Sequence, residues 1–95
     1  GVVMLQKYII EREIPRVGNQ PPENYCGIAQ TSKNVLADLA PRVQWLETFV
    51  ASDKVYCVFL AEGPEVIREH AARTGFPANR IEVVRGMIDP TYAPA

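Results

Sequence analysis

Between Gly63 and Pro90 the chain reads G-P-E-V-I-R-E-H-A-A-R-T-G-F-P-A-N-R-I-E-V-V-R-G-M-I-D-P, a run that marks the ends of one helix and one strand and so anchors the order of everything before it. Gly63 and Pro64 open a helix, because the fixed φ of proline suits a first turn and its missing N–H is not needed there. The helix ends at Thr74: Gly75 fits the left-handed cap position, Phe76 can pack back, and Pro77 prevents continuation. Arg80 to Ile88 then reads as a strand, closed by Asp89 and Pro90.

Upstream, L-Q-K-Y-I-I-E-R-E-I from Leu5 to Ile14 is rich in β-branched and aromatic residues and stops at Pro15, which predicts a first strand. Asn19 stands as the cap of a helix whose first turn holds Pro21, Pro22 and Glu23. Its inward stripe is Tyr25, Ile28, Ala29, Ser32, Val35, Leu36 and Leu39, recurring every three or four residues. Pro41 ends it. Val43 to Ala51 and Lys54 to Ala61 are two strands joined through Ser52 and Asp53 as a hairpin.

The order strand, helix, strand, strand, helix, strand is the split βαβ pattern of ferredoxin-like α+β sandwiches. Right-handed crossovers then predict an antiparallel sheet in the order four, one, three, two, with both helices on one face. At 95 residues the expectation is one domain over 1–95 with its core at about 4–90, burying only roughly two-thirds of the surface its unfolded chain would expose. The central strands are apolar on both sides. Val55, Cys57, Phe59 and Ala61 alternate with Tyr56, Val58 and Leu60, and Leu5 and Ile9 oppose Tyr8 and Ile10. Two helices cover one sheet face, so the other is expected to meet a second copy of the chain.

Charge excludes one class of partner. With ten Lys and Arg scattered against eleven Asp and Glu, a net charge of -1 offers no electrostatic footprint for nucleic acid. No apolar run approaches the roughly 20 residues of a transmembrane helix. Without a basic and apolar leader pattern the chain reads as cytoplasmic. Cys26 and Cys57 form no C-x-x-C pair and are expected to be reduced and mostly buried. Nucleotide-loop, serine-hydrolase and two-histidine zinc motifs are absent.

Few residues could carry chemistry. His70 is the one side chain whose ordinary pKa lies near neutrality, which suits a metal ligand or an acid–base group as well as a helix histidine with a single hydrogen bond. Glu11 and Glu13 share a strand face about 7 Å apart and could hold a divalent cation. Cys57 could be a soft ligand if its thiolate were favoured. Glu69 and Arg73 read as a solvated helix pair. Trp45 and Phe49, four apart on one strand, read as sharing a packing face.

Y-I-I-E-R-E at Tyr8 to Glu13, D-K-V-Y-C-V-F-L-A at Asp53 to Ala61, P-E-V-I-R-E-H-A-A-R-T-G-F-P-A-N-R-I at Pro64 to Ile81 and I-D-P at Ile88 to Pro90 together resemble a family of small bacterial ferredoxin-like nickel-binding proteins. The resemblance implies a dimerising ferredoxin-like sandwich, nickel binding and a part in the cell's response to nickel. The polar positions it matches are Glu11, Glu13, Cys57 and His70, implying His70 as nitrogen donor and the glutamates as oxygen donors, with waters completing an octahedron. Nickel favours imidazole, and the chain has one histidine, so a dimer would supply two. Two other readings stand beside this one. The first is a cofactor-less oxygenase, isomerase or decarboxylase of the dimeric α+β barrel type with His70 as acid–base residue; the second is a dimeric structural or regulatory module.

Overall fold

Alternation along one strand explains the architecture best. In the computed structural model, which describes residues 4–95, β1 (Gln6–Glu13) buries Tyr8, Ile10 and Arg12, while the residues between them point away from the core. It pairs antiparallel with β3 (Lys54–Ala61) on one side and β4 (Arg80–Val83) on the other. β2 (Val43–Val50) pairs with β3, giving the sheet order β2-β3-β1-β4. This is the predicted ferredoxin-like order read from its other edge.

Helices α1 (Pro22–Leu39) and α2 (Pro64–Thr74) lie together over one sheet face. Between them and the sheet sits a core of Ile10, Val43, Phe59, Val66 and Ile67, each at most 2 % exposed. Helix α2 is capped by Gly63 at its start and by Gly75 at its end, whose φ of 81° is left-handed and whose N–H donates to the Ala71 carbonyl at 2.9 Å. Glycine meets that conformation without the Cβ clash other residues suffer. The hydroxyl of Thr74 donates to the His70 carbonyl at 2.9 Å and accepts from the N–H of Phe76 at 3.2 Å, closing the helix end.

Four local expectations are corrected. The N-cap of α1 is Pro21, with no side-chain cap, and Asn19 instead ends a short 3-10 turn, Val17–Asn19. Burial of Val17 holds that turn in place, and the Tyr25 hydroxyl donates to the Val17 carbonyl at 2.8 Å. β4 stops at Val83 rather than Ile88: its pairing with β1 ends at Tyr8 opposite Val83, with Val84 adding one bond to Lys7, although β1 itself extends to Gln6. Past that point Met87 and Ile88 stand 75 % and 83 % exposed. A bulge between Trp45 and Glu47 breaks the alternation of β2, so Trp45 pairs with Phe59 on the covered face and Phe49 with Tyr56 on the bare one. An extra residue in one strand flips every side chain beyond it. Finally, Cys26 is exposed on α1, whereas Cys57 is buried.

The bare face has an apolar centre. Ile9, Phe49 and Tyr56 are 42 %, 57 % and 36 % exposed, with Val58 and Leu60 beside them on the same side of β3. The body measures 44 × 40 × 20 Å, a slab one sheet and one helical layer deep.

Candidate functional site

The side chains with chemistry fall on opposite sides of the sheet. Parity along β1 sends Arg12 to the covered face and Glu11 and Glu13 to the bare one. There Glu11 accepts from Lys54 Nζ at 3.3 Å, and Glu13 lies 3.3 Å from Asn79 Nδ2. Cys57, opposite Ile10 on β3, and His70 on the inner side of α2 face the covered side. The four candidate metal ligands therefore do not converge within one subunit. Among the described residues no three of His, Cys, Asp and Glu stand close enough together to hold a metal ion.

What the covered side holds is a cavity. It has a volume of about 270 Å³ and lies between the sheet, α1 and α2, with a lining largely of aliphatic and aromatic side chains. Ile28 and Val50, which line it, also reach solvent and place its mouth between α1 and the end of β2. Pockets that bind small molecules have this composition, a mostly apolar wall with a few placed polar groups.

Those polar groups form two hydrogen-bonded sets, one on the sheet and one between the helices. Arg12 is 2 % exposed; its Nε donates to Cys57 Sγ at 3.5 Å and its Nη1 to the Pro77 carbonyl at 2.8 Å. Trp45 Nε1 donates to Thr48 Oγ1 at 2.9 Å, and that hydroxyl donates to Cys57 Sγ at 3.1 Å. Cys57 is thus an acceptor for two donors. On the helix side, His70 Nε2 lies 3.0 Å from Ser32 Oγ. The imidazole packs edge-on to Phe59 with centroids 5.2 Å apart, and to Phe76 at 6.5 Å. Burial and then the Arg12 charge push the His70 pKa down from 6.5 to about 4, so the ring is neutral at physiological pH.

Among the described residues two buried groups are left without partners: Arg12 Nη2 and His70 Nδ1. Native interiors satisfy nearly all such groups, so two around one cavity call for a physical reason. Among the described residues no carboxylate pairs with Arg12, and no acidic side chain lines the cavity. A fixed cation repels a divalent metal, so the His70 and Cys57 pair does not fit a nickel ion. Glu11 and Glu13, on the other face, give oxygen donors too few to fill a coordination sphere alone.

Sequence reasoning named His70, Cys57 and Ser32 but passed over Arg12, whose flanking glutamates drew the attention. The signal was available: Tyr8, Ile10 and Arg12 share one strand parity, which places a guanidinium on the same face as two core residues.

Fold and site together define a small ferredoxin-like α+β sandwich with a bare apolar sheet face and a polar-ended cavity beneath its helices. The chain belongs to the family described as Nickel responsive protein SCO4226-like, which matches residues 8–84. Among solved structures it is similar to SCO4226 from Streptomyces coelicolor A3(2), with a TM-score of 0.72 at 16% identity over 86% of this chain and 99% of that one. At that identity the likeness is one of fold. No curated protein matches the sequence.

Proposed function

We propose that this protein acts in the cytoplasmic response to nickel as a homodimeric binding protein rather than an enzyme. Membership of the nickel-responsive family across residues 8–84 is the observation that carries this reading. The apolar centre of the bare sheet face supports pairing of two copies there, since an exposed patch of that kind marks an interaction surface. Against acid–base catalysis stands the state of His70: burial beside Arg12 holds it at about 4, and a base that weak takes up little proton near neutrality.

The described residues of one subunit do not assemble a metal site, so in this reading a bound metal takes donors from two. Pairing through the bare face would pool Glu11 and Glu13 of both copies, while His70 and Cys57 stay in the cavity behind the sheet. Nickel titration of tag-free protein by calorimetry tests this, beside a Glu11→Gln/Glu13→Gln variant and a His70→Ala variant. Binding at micromolar nickel that is lost in the glutamine variant and kept in His70→Ala is the expected result. No heat with wild-type dimer would overturn direct binding; loss in His70→Ala alone would overturn the choice of carboxylates.

A further inference from the structure

The cavity under the helices presents carbon to whatever enters it. Three aromatic side chains, Trp45, Phe59 and Phe76, and the aliphatic Val17, Ile28 and Val55 make up much of its lining. The polar side chains around it are engaged inside the protein. The Tyr25 hydroxyl donates to the Val17 carbonyl at 2.8 Å, the Trp45 indole and the Thr48 hydroxyl form a chain that ends on Cys57 Sγ, and Ser32 Oγ is shared with His70 Nε2 at 3.0 Å. Arg12 turns its charge to Cys57, to the Pro77 carbonyl and to the ring of Phe59, whose centroid lies 5.9 Å from the guanidinium carbon. Its Nη2 and His70 Nδ1 are sealed within the packing and do not open onto the cavity. Among the described residues no carboxylate lines it.

This wall selects against charge. An ion entering the cavity would give up its hydration and meet side chains whose hydrogen bonds are already made. Water is disfavoured for the same reason, since a buried water is held by about three polar partners. We propose that the cavity binds a small uncharged aromatic molecule, one in each subunit and independently of nickel. Its size follows by proportion: an engineered apolar cavity of about 150 Å³ takes up benzene, so about 270 Å³ admits on the order of ten heavy atoms, one two-ring system. Its aromatic character follows from Trp45, Phe59 and Phe76, because edge-on and offset ring contacts add to what area burial alone supplies. A guest also restores the dispersion contacts that wall atoms facing open space forgo. It enters between Ile28 on α1 and Val50 at the end of β2, which line the cavity and reach solvent.

The test compares neutral and charged probes of similar size on metal-free wild-type protein. Toluene and 1-methylindole are titrated at about pH 7.5 beside benzoate and benzylammonium, both fully ionised there. The chain has a single tryptophan, so the Trp45 Nε1–H resonance reports on the cavity wall directly, with calorimetry beside it. At least one neutral probe is expected to bind with a dissociation constant below about 1 mM, at least about tenfold tighter than either ion, and to move the Trp45 resonance. Ala29→Phe, which sets a ring into the lining from α1, is expected to weaken that binding at least about tenfold in protein that still unfolds cooperatively. If that variant does not fold, the comparison on wild type decides by itself. A Trp45 resonance unmoved by about 2 mM of either neutral probe, or benzoate bound as tightly as toluene, would overturn the proposal. Folded Ala29→Phe that binds like wild type would overturn the assignment to this cavity.

Discussion

At the scale of single residues, His70 makes the fold sensitive to acid. Its pKa falls from 6.5 in the unfolded chain to about 4 in the folded one, so between those values the unfolded chain holds a proton that the folded chain does not. The stabilisation is therefore complete above about pH 6.5 and is lost as pH falls towards 4, with a full value of roughly 3 kcal/mol. The ring meets Ser32, Phe59 and Phe76; of the titratable groups lining the same cavity, Arg12 from β1, Cys57 from β3 and Tyr25 from α1, Arg12 shares the lowering. Urea unfolding is expected to show wild type losing about 2–3 kcal/mol more than His70→Gln between pH 7.5 and 4.5. The difference between the two proteins cancels the carboxylates common to both. Matching pH profiles would mean that the ring already reaches water or a counter-ion in the folded state.

Elements show where the sequence could be read and where it could not. Helix α2 was legible to the residue, because Gly63, Pro64 and Gly75 are local signals that no distant contact overrides. Strand parity in β1 and β3 was equally local, and it correctly divided Val55, Cys57 and Phe59 from Tyr56, Val58 and Leu60. The bulge in β2 was not legible, since it is a property of two strands in register, and so Trp45 and Phe49 were assigned one face. Of the site, His70 and Cys57 were visible as residue types. The cavity joining them to Arg12 arises only when α1 crosses β2, and no spacing encodes its volume. The turn after β1 makes a second non-local demand. Gly18 donates its N–H to the Ser52 carbonyl at 2.9 Å, and a Cβ there would overlap the Ala51 carbonyl and lie 2.8 Å from Ser52 Cα. Both obstacles are backbone and cannot rotate away. Gly18→Ala is expected to cost about 1–3 kcal/mol by denaturant melts, where Gly27→Ala, with open space around it, costs nothing or stabilises α1 by up to about 1 kcal/mol. A Gly18→Ala protein as stable as wild type would show that the β2–β3 turn moves independently of the loop it touches.

The whole molecule is a two-layer sandwich with one sheet face bare. Helices cover Arg12, Cys57 and Phe59 on one side of the sheet, and on the other Ile9, Phe49 and Tyr56 meet solvent inside a rim of Lys7, Glu11, Glu47, Arg80 and Glu82. Apolar centre and charged rim are the anatomy of a pairing surface, and the rim carries both signs, so a two-fold axis can set cations against carboxylates. Phe49 is the most exposed of the three central residues, and in the isolated subunit its ring has little to lose. A carboxylate in its place would therefore leave monomer stability within about 0.5 kcal/mol but would be buried at the centre of a dimer, where an unpaired charge is severely unfavourable. For the dimer proposed above, Phe49→Glu is expected to raise the dissociation constant at least a hundredfold in sedimentation equilibrium, while Cys26→Ser, exposed on the opposite helical layer, leaves it unchanged. A Phe49→Glu protein that sediments as the wild-type dimer would place the interface elsewhere. It would also remove the pooling of Glu11 and Glu13 on which a two-subunit metal site depends, while leaving the Arg12 cavity, which belongs to one subunit, untouched.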